Sequence, residues 1–150
     1  MKNTAAIKEL VAVSGEDGVT AQLVPENERM QFLPTVFGPR LMMRGENWVY
    51  GYMSRLCEKY TGAYWEFYRL SNGGFYLAPR IAGPMLLKHA DNFFEGEMSA
   101  DAAGIVATLF AVNGLCWDFP DEEHLAKAYS ALLEFAYQHA EVANICACTN

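Results

Sequence analysis

Three carboxylates close together in the chain, Glu95, Glu97 and Asp101, have the residue types and spacing that could do chemistry. In a β-strand Glu95 and Glu97 point to the same face, where a carboxylate pair can act as general acid and base or as oxygen ligands for Mg²⁺. The three residues therefore define one hypothesis, a metal-assisted hydrolase. The alternative is a solvated strand face followed by an acid that interacts favourably with a helix dipole. We favour this alternative, because the sequence ties no histidine, lysine or further ligand to the cluster.

A second set of candidate ligands lies near the C-terminal end, where Cys146 and Cys148 follow His139. A structural zinc site usually has four ligands, and no second pair of cysteines or histidines lies nearby. The other two histidines, His89 and His124, are scattered, and neither H-E-x-x-H nor G-x-S-x-G occurs. We therefore expect no metal, no cofactor and no enzymatic activity.

The glycine-rich segment Ser71–Gly74 is the nearest approach to a phosphate-binding loop. Such loops lead into a helix N-terminus and carry a lysine or the spacing G-x-G-x-x-G. Here the segment leads into Phe75-Tyr76-Leu77, which is typical of a strand. The sequence therefore predicts a tight turn and not a nucleotide site.

An acidic run, Asp118-Phe119-Pro120-Asp121-Glu122-Glu123, raises the hypothesis of a protein that mimics DNA. Mimicry of a duplex requires an extended carboxylate array that approaches one charge per ~1.7 Å. The chain has 18 Asp/Glu, offset by 11 Lys/Arg, which is too few for such an array. The run instead predicts the acidic first turn of a helix.

Charge is divided unevenly along the chain, whose net charge is −7. Residues 1–90 hold ten Lys/Arg and eight Asp/Glu, whereas residues 91–150 hold one Lys/Arg and ten Asp/Glu. An acidic surface repels a phosphate backbone and suits a basic partner. We therefore expect no direct binding of DNA by the C-terminal part.

Aromatic residues on both sides of the Ser71–Gly74 turn predict a β-hairpin over residues 64–79. Aromatic side chains fit a pleated, half-buried surface, and Asn and Gly accept the positive φ of a tight turn. The remaining patterns predict a strand at 20–24, a helix at 26–37 with Pro34 in its first turn or at its end, a helix at 45–60, strands at 84–89 and 92–98, a buried helix at 102–116 capped by Ser99, and a helix that opens within 118–123.

These elements predict an α+β fold, in which helices cover one face of a small antiparallel meander that includes the hairpin. A chain of 150 residues fits a single domain spanning 1–150, with residues 1–15 as a loosely held arm or short helix. The N-terminus lacks the apolar region of a signal peptide, and no window approaches the roughly 18 uninterrupted apolar residues of a membrane span. We expect a cytoplasmic protein with reduced thiols and no membrane partner.

Several long motifs resemble the KlcA/ArdB antirestriction family of plasmids and mobile elements. They are Arg29-Met30-Gln31-Phe32-Leu33-Pro34, Phe37-Gly38, Val49-Tyr50-Gly51-Tyr52-Met53, the hairpin over 64–79, and the segment from Asn92 to Val106. The resemblance implies a compact α/β protein, distinct from elongated DNA mimics, that relieves restriction by type I restriction-modification enzymes.

What the family implies is a role and not a catalytic set, so we expect action by binding a type I restriction enzyme or an associated host protein. The two segments expected to be exposed supply the candidate contact residues: Arg69 and Asn72 at the hairpin, and Asp121, Glu122 and Glu123 at the acidic helix start. The oligomeric state stays open.

Overall fold

The computed structural model describes residues 18–150, so the predicted arm at 1–15 lies outside the described part of the chain. The described residues form five α-helices and five β-strands, joined by short connections. In chain order they are β1 (Ala21–Leu23), α1 (Arg29–Phe37), α2 (Met42–Leu56), β2 (Trp65–Leu70), β3 (Phe75–Pro79), β4 (Met85–His89), β5 (Phe94–Met98), α3 (Ala100–Asp118), α4 (Glu123–Tyr137) and α5 (Val142–Thr149). The predicted α+β class is confirmed.

The predicted hairpin is the centre of the first sheet, whose strand order is β1-β2-β3 and whose pairs are antiparallel. Phe67 lies opposite Leu77 and Arg69 opposite Phe75, so the reversal falls in the predicted turn. Gly73 adopts a φ of +91° there, a conformation that glycine reaches without steric cost. All five residues of β3 are buried, because α3 covers this strand.

The expectation of one continuous meander is wrong, because β4 and β5 form a second, two-stranded sheet. The chain leaves β3 at Pro79 and reaches β4 through Gly83 and Pro84. Gly83 has a φ of +81°, and proline has no N–H to donate to a neighbouring strand. The connection therefore breaks the ladder between β3 and β4.

The helix α3 is the core of the molecule and is buried on every face along residues 102–109. Ser99 caps it as predicted, since its Oγ accepts a hydrogen bond from the Ala102 N–H at 3.1 Å. Gly104 lies so close to β3 that a Cβ there would be 2.4 Å from the Leu77 carbonyl oxygen. Thr108 Oγ1 accepts from the Leu77 N–H at 3.2 Å, so α3 also covers the outer edge of β3. Among the described helices only α3 is long and apolar enough to cross a membrane, and most of it is buried between α2, α4 and β3.

Two helix boundaries differ from the sequence patterns. The helix predicted at 26–37 divides into a 3-10 turn at Glu26–Glu28 and the α-helix α1. Pro34 therefore lies inside α1, and neither in its first turn nor at its end. Its missing N–H costs this short helix one hydrogen bond. The helix predicted at 45–60 begins at Met42 and ends at Leu56, since Cys57 turns to an extended conformation and remains buried.

The acidic run at 118–123 does not form the predicted first turn of a single helix but connects two helices. Asp118 ends α3, and α4 begins at Glu123. The tail forms the helix α5, which packs on β5 and α3.

Candidate functional site

Both ends of the hairpin turn make contacts within the fold. The Asn72 side-chain amide donates to the Ala131 carbonyl and to Glu134 Oε1, both at 2.9 Å, and its oxygen accepts from Gly74 N. The Asn72 side chain therefore holds the turn against α4. Arg69 pairs with Glu28 at 2.8 Å on the surface. Arg69 and Asn72 are both exposed, as predicted, and Asn72 also fixes the turn within the fold.

The acidic helix start is only partly free. Glu122 pairs with Arg40 at 2.9 Å, and the Arg40 guanidinium also lies over the Phe119 ring. Asp121 and Glu123 are exposed on either side of Glu122. The two flanking carboxylates are therefore the ones that a partner can reach without breaking an existing pair.

The three candidate metal ligands do not converge. Glu95 and Glu97 are exposed on one face of β5, as predicted, and lie opposite Lys88 and Leu86 of β4. Asp101 instead points into the interface between α3 and α4, where its carboxylate accepts from Tyr76 and His139. Within residues 18–150 no group of three His, Cys, Asp or Glu side chains is arranged to hold a metal ion. The hydrolase hypothesis therefore loses its third ligand.

Asp101 is the centre of a polar network that the sequence patterns missed. One carboxylate oxygen accepts from the buried Tyr76 hydroxyl at 2.7 Å, and the other accepts from His139 Nε2 at 2.9 Å. His139 Nδ1 accepts from the Glu141 N–H at 3.0 Å, so Nε2 carries the ring proton. Both ring nitrogens are engaged, which leaves His139 no free lone pair for general-base catalysis.

Ser99 and Glu141 extend this network to the start of α3. The Glu141 carboxylate accepts from both the backbone N–H and the hydroxyl of Ser99. The same hydroxyl caps α3, so it is not an activated nucleophile. The network joins the α4–α5 connection to α3 and performs a structural task.

Burial changes the acidity of the tyrosines packed in this region. Burial, together with the nearby Asp101 charge, raises the pKa of Tyr68 to about 12. The same two causes and the hydrogen bond to Asp101 hold the pKa of Tyr76 well above its usual value of 10.0. The rings of Tyr68 and Tyr76 are stacked, with centroids 4.7 Å apart. Both tyrosines are therefore neutral at physiological pH.

The cysteines also form no ligand set. All four are free, and Cys148 is buried in α5. Burial raises the pKa of its thiol to about 11, which makes the reactive thiolate scarce at neutral pH.

A groove of about 790 Å³ lies between the C-terminal end of α2 and the β4–β5 hairpin. Residues 54–60 form one wall, and β4 with the start of β5 forms the other. Phe93, at the tip of the hairpin, lines the groove and is 93% exposed. The two walls are more than twenty residues apart in sequence, so no local motif indicated the groove as a whole. The adjacent aromatic residues in the run Asn92-Phe93-Phe94 are the one sequence feature that marks its rim.

Comparison with known proteins gives consistent matches. Residues 58–149 match the profile of the family described as antirestriction protein. The antirestriction protein KlcA of Escherichia coli is 54% identical over 130 residues, which cover 85% of this chain and 92% of that protein. A second KlcA of the same species is 51% identical over 132 residues, covering 85% of this chain and 90% of the relative.

The fold also matches a solved structure with a TM-score of 0.84 and 52% sequence identity, covering 91% of this chain and 99% of that chain. That structure is described as showing a novel fold for KlcA and ArdB, and antirestriction activity against type I DNA restriction systems in vivo but not in vitro.

Proposed function

Because the chain belongs to the family of antirestriction proteins, we propose that it relieves the cleavage of incoming DNA by type I restriction-modification enzymes. The observation that carries this proposal is the likeness in sequence and fold, over nearly the whole of both chains, to a protein with that activity in vivo.

The protein acts by binding a protein partner and not by catalysis or DNA mimicry. Support comes from the polar network, in which the Asp101, His139 and Ser99 side chains are all engaged within the fold. Further support comes from the charge balance, which is too low for a mimic of duplex DNA. The partner is the type I restriction enzyme or a host protein associated with it.

We place this activity in the cytoplasm and assign the protein to mobile DNA. Four free cysteines are consistent with a reducing compartment. An accessory protein of this kind serves DNA that enters a cell in an unmodified state, which is the situation of a plasmid or another mobile element.

Survival of unmodified phage or plasmid DNA in cells that carry a type I system tests the proposal. Expression of the protein should raise that survival well above the level with an empty vector, and it should have no effect in cells without the restriction system. Immunoblotting of the soluble fraction controls for expression. Unchanged survival at good soluble expression would refute the proposed function.

Neutralising Asp121 and Glu123 tests the acidic helix start as a contact. The double substitution Asp121→Asn and Glu123→Gln should lower antirestriction, because it removes two exposed charges that a basic partner surface would meet. The melting temperature should stay nearly constant, since exposed substitutions shift stability by about 0.5 kcal/mol or less each. The matched control, Glu26→Gln with Glu97→Gln, removes two exposed charges elsewhere and should retain full activity. Equal activity of both double variants contradicts the acidic contact.

A further inference from the structure

The strand β4 has a free outer edge among residues 18–150. On the other side of the sheet the edge of β5 is covered, because Asn144 of α5 donates to the Glu97 carbonyl and Glu141 accepts from the Ser99 N–H. Residues 97 and 99 thus direct backbone groups away from β4. In an antiparallel pair, two directly opposite residues either both direct their N–H and C=O groups towards each other or both direct them away from each other. Leu86 and Lys88, opposite Glu97 and Glu95, therefore point their N–H and C=O groups to the outer edge.

No backbone partner from the described residues meets Leu86 or Lys88 at that edge. The edge of β3, in contrast, is covered by Thr108. The uncovered edge of β4 lies along the groove, whose opposite wall is the segment 54–60. An exposed edge of this kind is a template for an added strand.

The groove is largely apolar and carries a small positive excess in a protein whose net charge is −7. Its charged lining comprises Arg55, Lys59 and Lys88 against Glu58 and Glu95. Within residues 18–150 none of the three cations has a carboxylate within 4.0 Å. A lysine on a sheet edge opposes indiscriminate strand pairing. Its charge is complementary to an acidic strand and repels a basic one.

Phe93 gives the groove an apolar contact at its rim. Its φ of +61° is a left-handed conformation that costs energy for a bulky residue. The loop is held in place from both sides, because Asn92 Nδ2 donates to the Cys148 carbonyl at 3.0 Å and Asn92 Oδ1 accepts from Phe94 N. Phe93 is therefore held outward in a fixed position, whereas its neighbour Phe94 is half-buried against the core.

We propose that this groove binds an extended segment of a partner protein, rich in acidic and apolar residues, which adds as a third strand along the edge of β4. Its backbone pairs with Leu86 and Lys88, its acidic side chains lie near Arg55, Lys59 and Lys88, and its apolar side chains contact the α2 wall and Phe93. A second copy of this chain fits less well, because two β4 edges would bring the same three cations together. The proposal deepens the proposed function, since it assigns a surface and a chemistry to the partner.

A synthetic peptide tests the groove without any restriction system. The probe is a capped heptapeptide that alternates Glu and Val, titrated to about 1 mM while amide NMR shifts are recorded on the full chain. Saturable shifts are expected at 54–60 and 85–89. A peptide with Lys in place of Glu, and a Glu-Val peptide with N-methyl groups on alternate nitrogens, should each bind at least about tenfold more weakly. No saturable shift, or equal binding of all three peptides, overturns the proposal.

A matched pair of variants isolates the backbone contact. Leu86→Pro removes the outward N–H, and Leu86→Val keeps it; both should fold, because proline is tolerated at an edge position whose N–H faces away from the sheet. Leu86→Pro should weaken peptide binding by about tenfold and Leu86→Val by less than about threefold. If Leu86→Pro does not fold, the N-methylated peptide decides the same point.

Activity and oligomeric state complete the test. Loss of antirestriction in Leu86→Pro but not in Leu86→Val supports the groove as the partner surface, and full activity of Leu86→Pro overturns that role. An inactive wild type refutes the proposed function and leaves the peptide result to decide the groove. A wild-type dimer that Leu86→Pro converts to monomer, with no peptide binding, shows that a second copy occupies the edge and overturns the proposal.

Discussion

Replacing Gly104 by alanine should destabilise the protein by about 3 kcal/mol, although alanine is the better helix former by about 1 kcal/mol. The new Cβ would be 2.4 Å from the Leu77 carbonyl oxygen and 2.5 Å from Ala78 Cα. Both are backbone atoms of a buried strand, so neither can move without shifting β3. The melting temperature should fall by roughly 6–12 °C, measured by circular dichroism or calorimetry.

Gly51 provides the matched control for this substitution. It is also a helical glycine, in α2, but it is exposed and nothing lies within 4 Å of a Cβ built on it. Gly51→Ala should therefore stabilise the protein by a few tenths to about 1 kcal/mol. Opposite signs for the two variants are the expected result. A Gly104→Ala variant as stable as the wild type contradicts the close packing of α3 on β3.

Raising the pH above 9 should lower the free energy of unfolding in two stages, set first by Cys148 and then by the tyrosines Tyr68 and Tyr76. Burial raises the pKa of Tyr68 to about 12 from 10.0 and that of Cys148 to about 11 from 9.0. A raised pKa in the folded state means that the unfolded chain loses its proton first. The stability is therefore complete below the unfolded pKa and is lost as the pH rises towards the folded value. Each group contributes a slope of about 1.4 kcal/mol per pH unit in its own window.

Urea denaturation between pH 8 and 12 measures this loss. The free energy of unfolding should begin to fall near pH 9, where Cys148 titrates in the unfolded chain, and fall more steeply from pH 10, where Tyr68 and Tyr76 join it. The variant Tyr68→Phe should make the free energy of unfolding fall less steeply between pH 10 and 12, by the contribution of one proton, about 1.4 kcal/mol per pH unit. A stability that stays flat to pH 12, or an unchanged slope in Tyr68→Phe, contradicts the burial of this hydroxyl.

Local patterns predicted the elements that are determined locally. The Ser71–Gly74 turn needs only its own residues to reverse the chain, and α3 carries its cap and its apolar surface in one continuous segment. The Gly83-Pro84 break could not by itself indicate that β4 would leave the first sheet, because that also depends on whether α3 or another strand covers the edge of β3. Thr108 settles this competition from 31 residues away.

The candidate contacts show the same limit. Asn72 stays a predicted contact residue, but its hydrogen bond to Glu134, 62 residues further along, was not predicted, because pairing over that distance has no local signal. The metal hypothesis required Asp101 beside Glu95 and Glu97, yet the first turn of α3 directs it to His139, 38 residues away. The groove likewise depends on how the end of α2 lies relative to β4. These features arise from packing between distant segments, which residue spacing does not encode.

The complete burial of α3 has a consequence for the protein while it is being made. Residues 102–109 depend on α4 and α5 to cover part of their surface, and both helices leave the ribosome after α3. Until α4 and α5 have followed it out of the ribosome and packed against it, α3 presents part of its apolar surface uncovered, which is the kind of surface that chaperones bind.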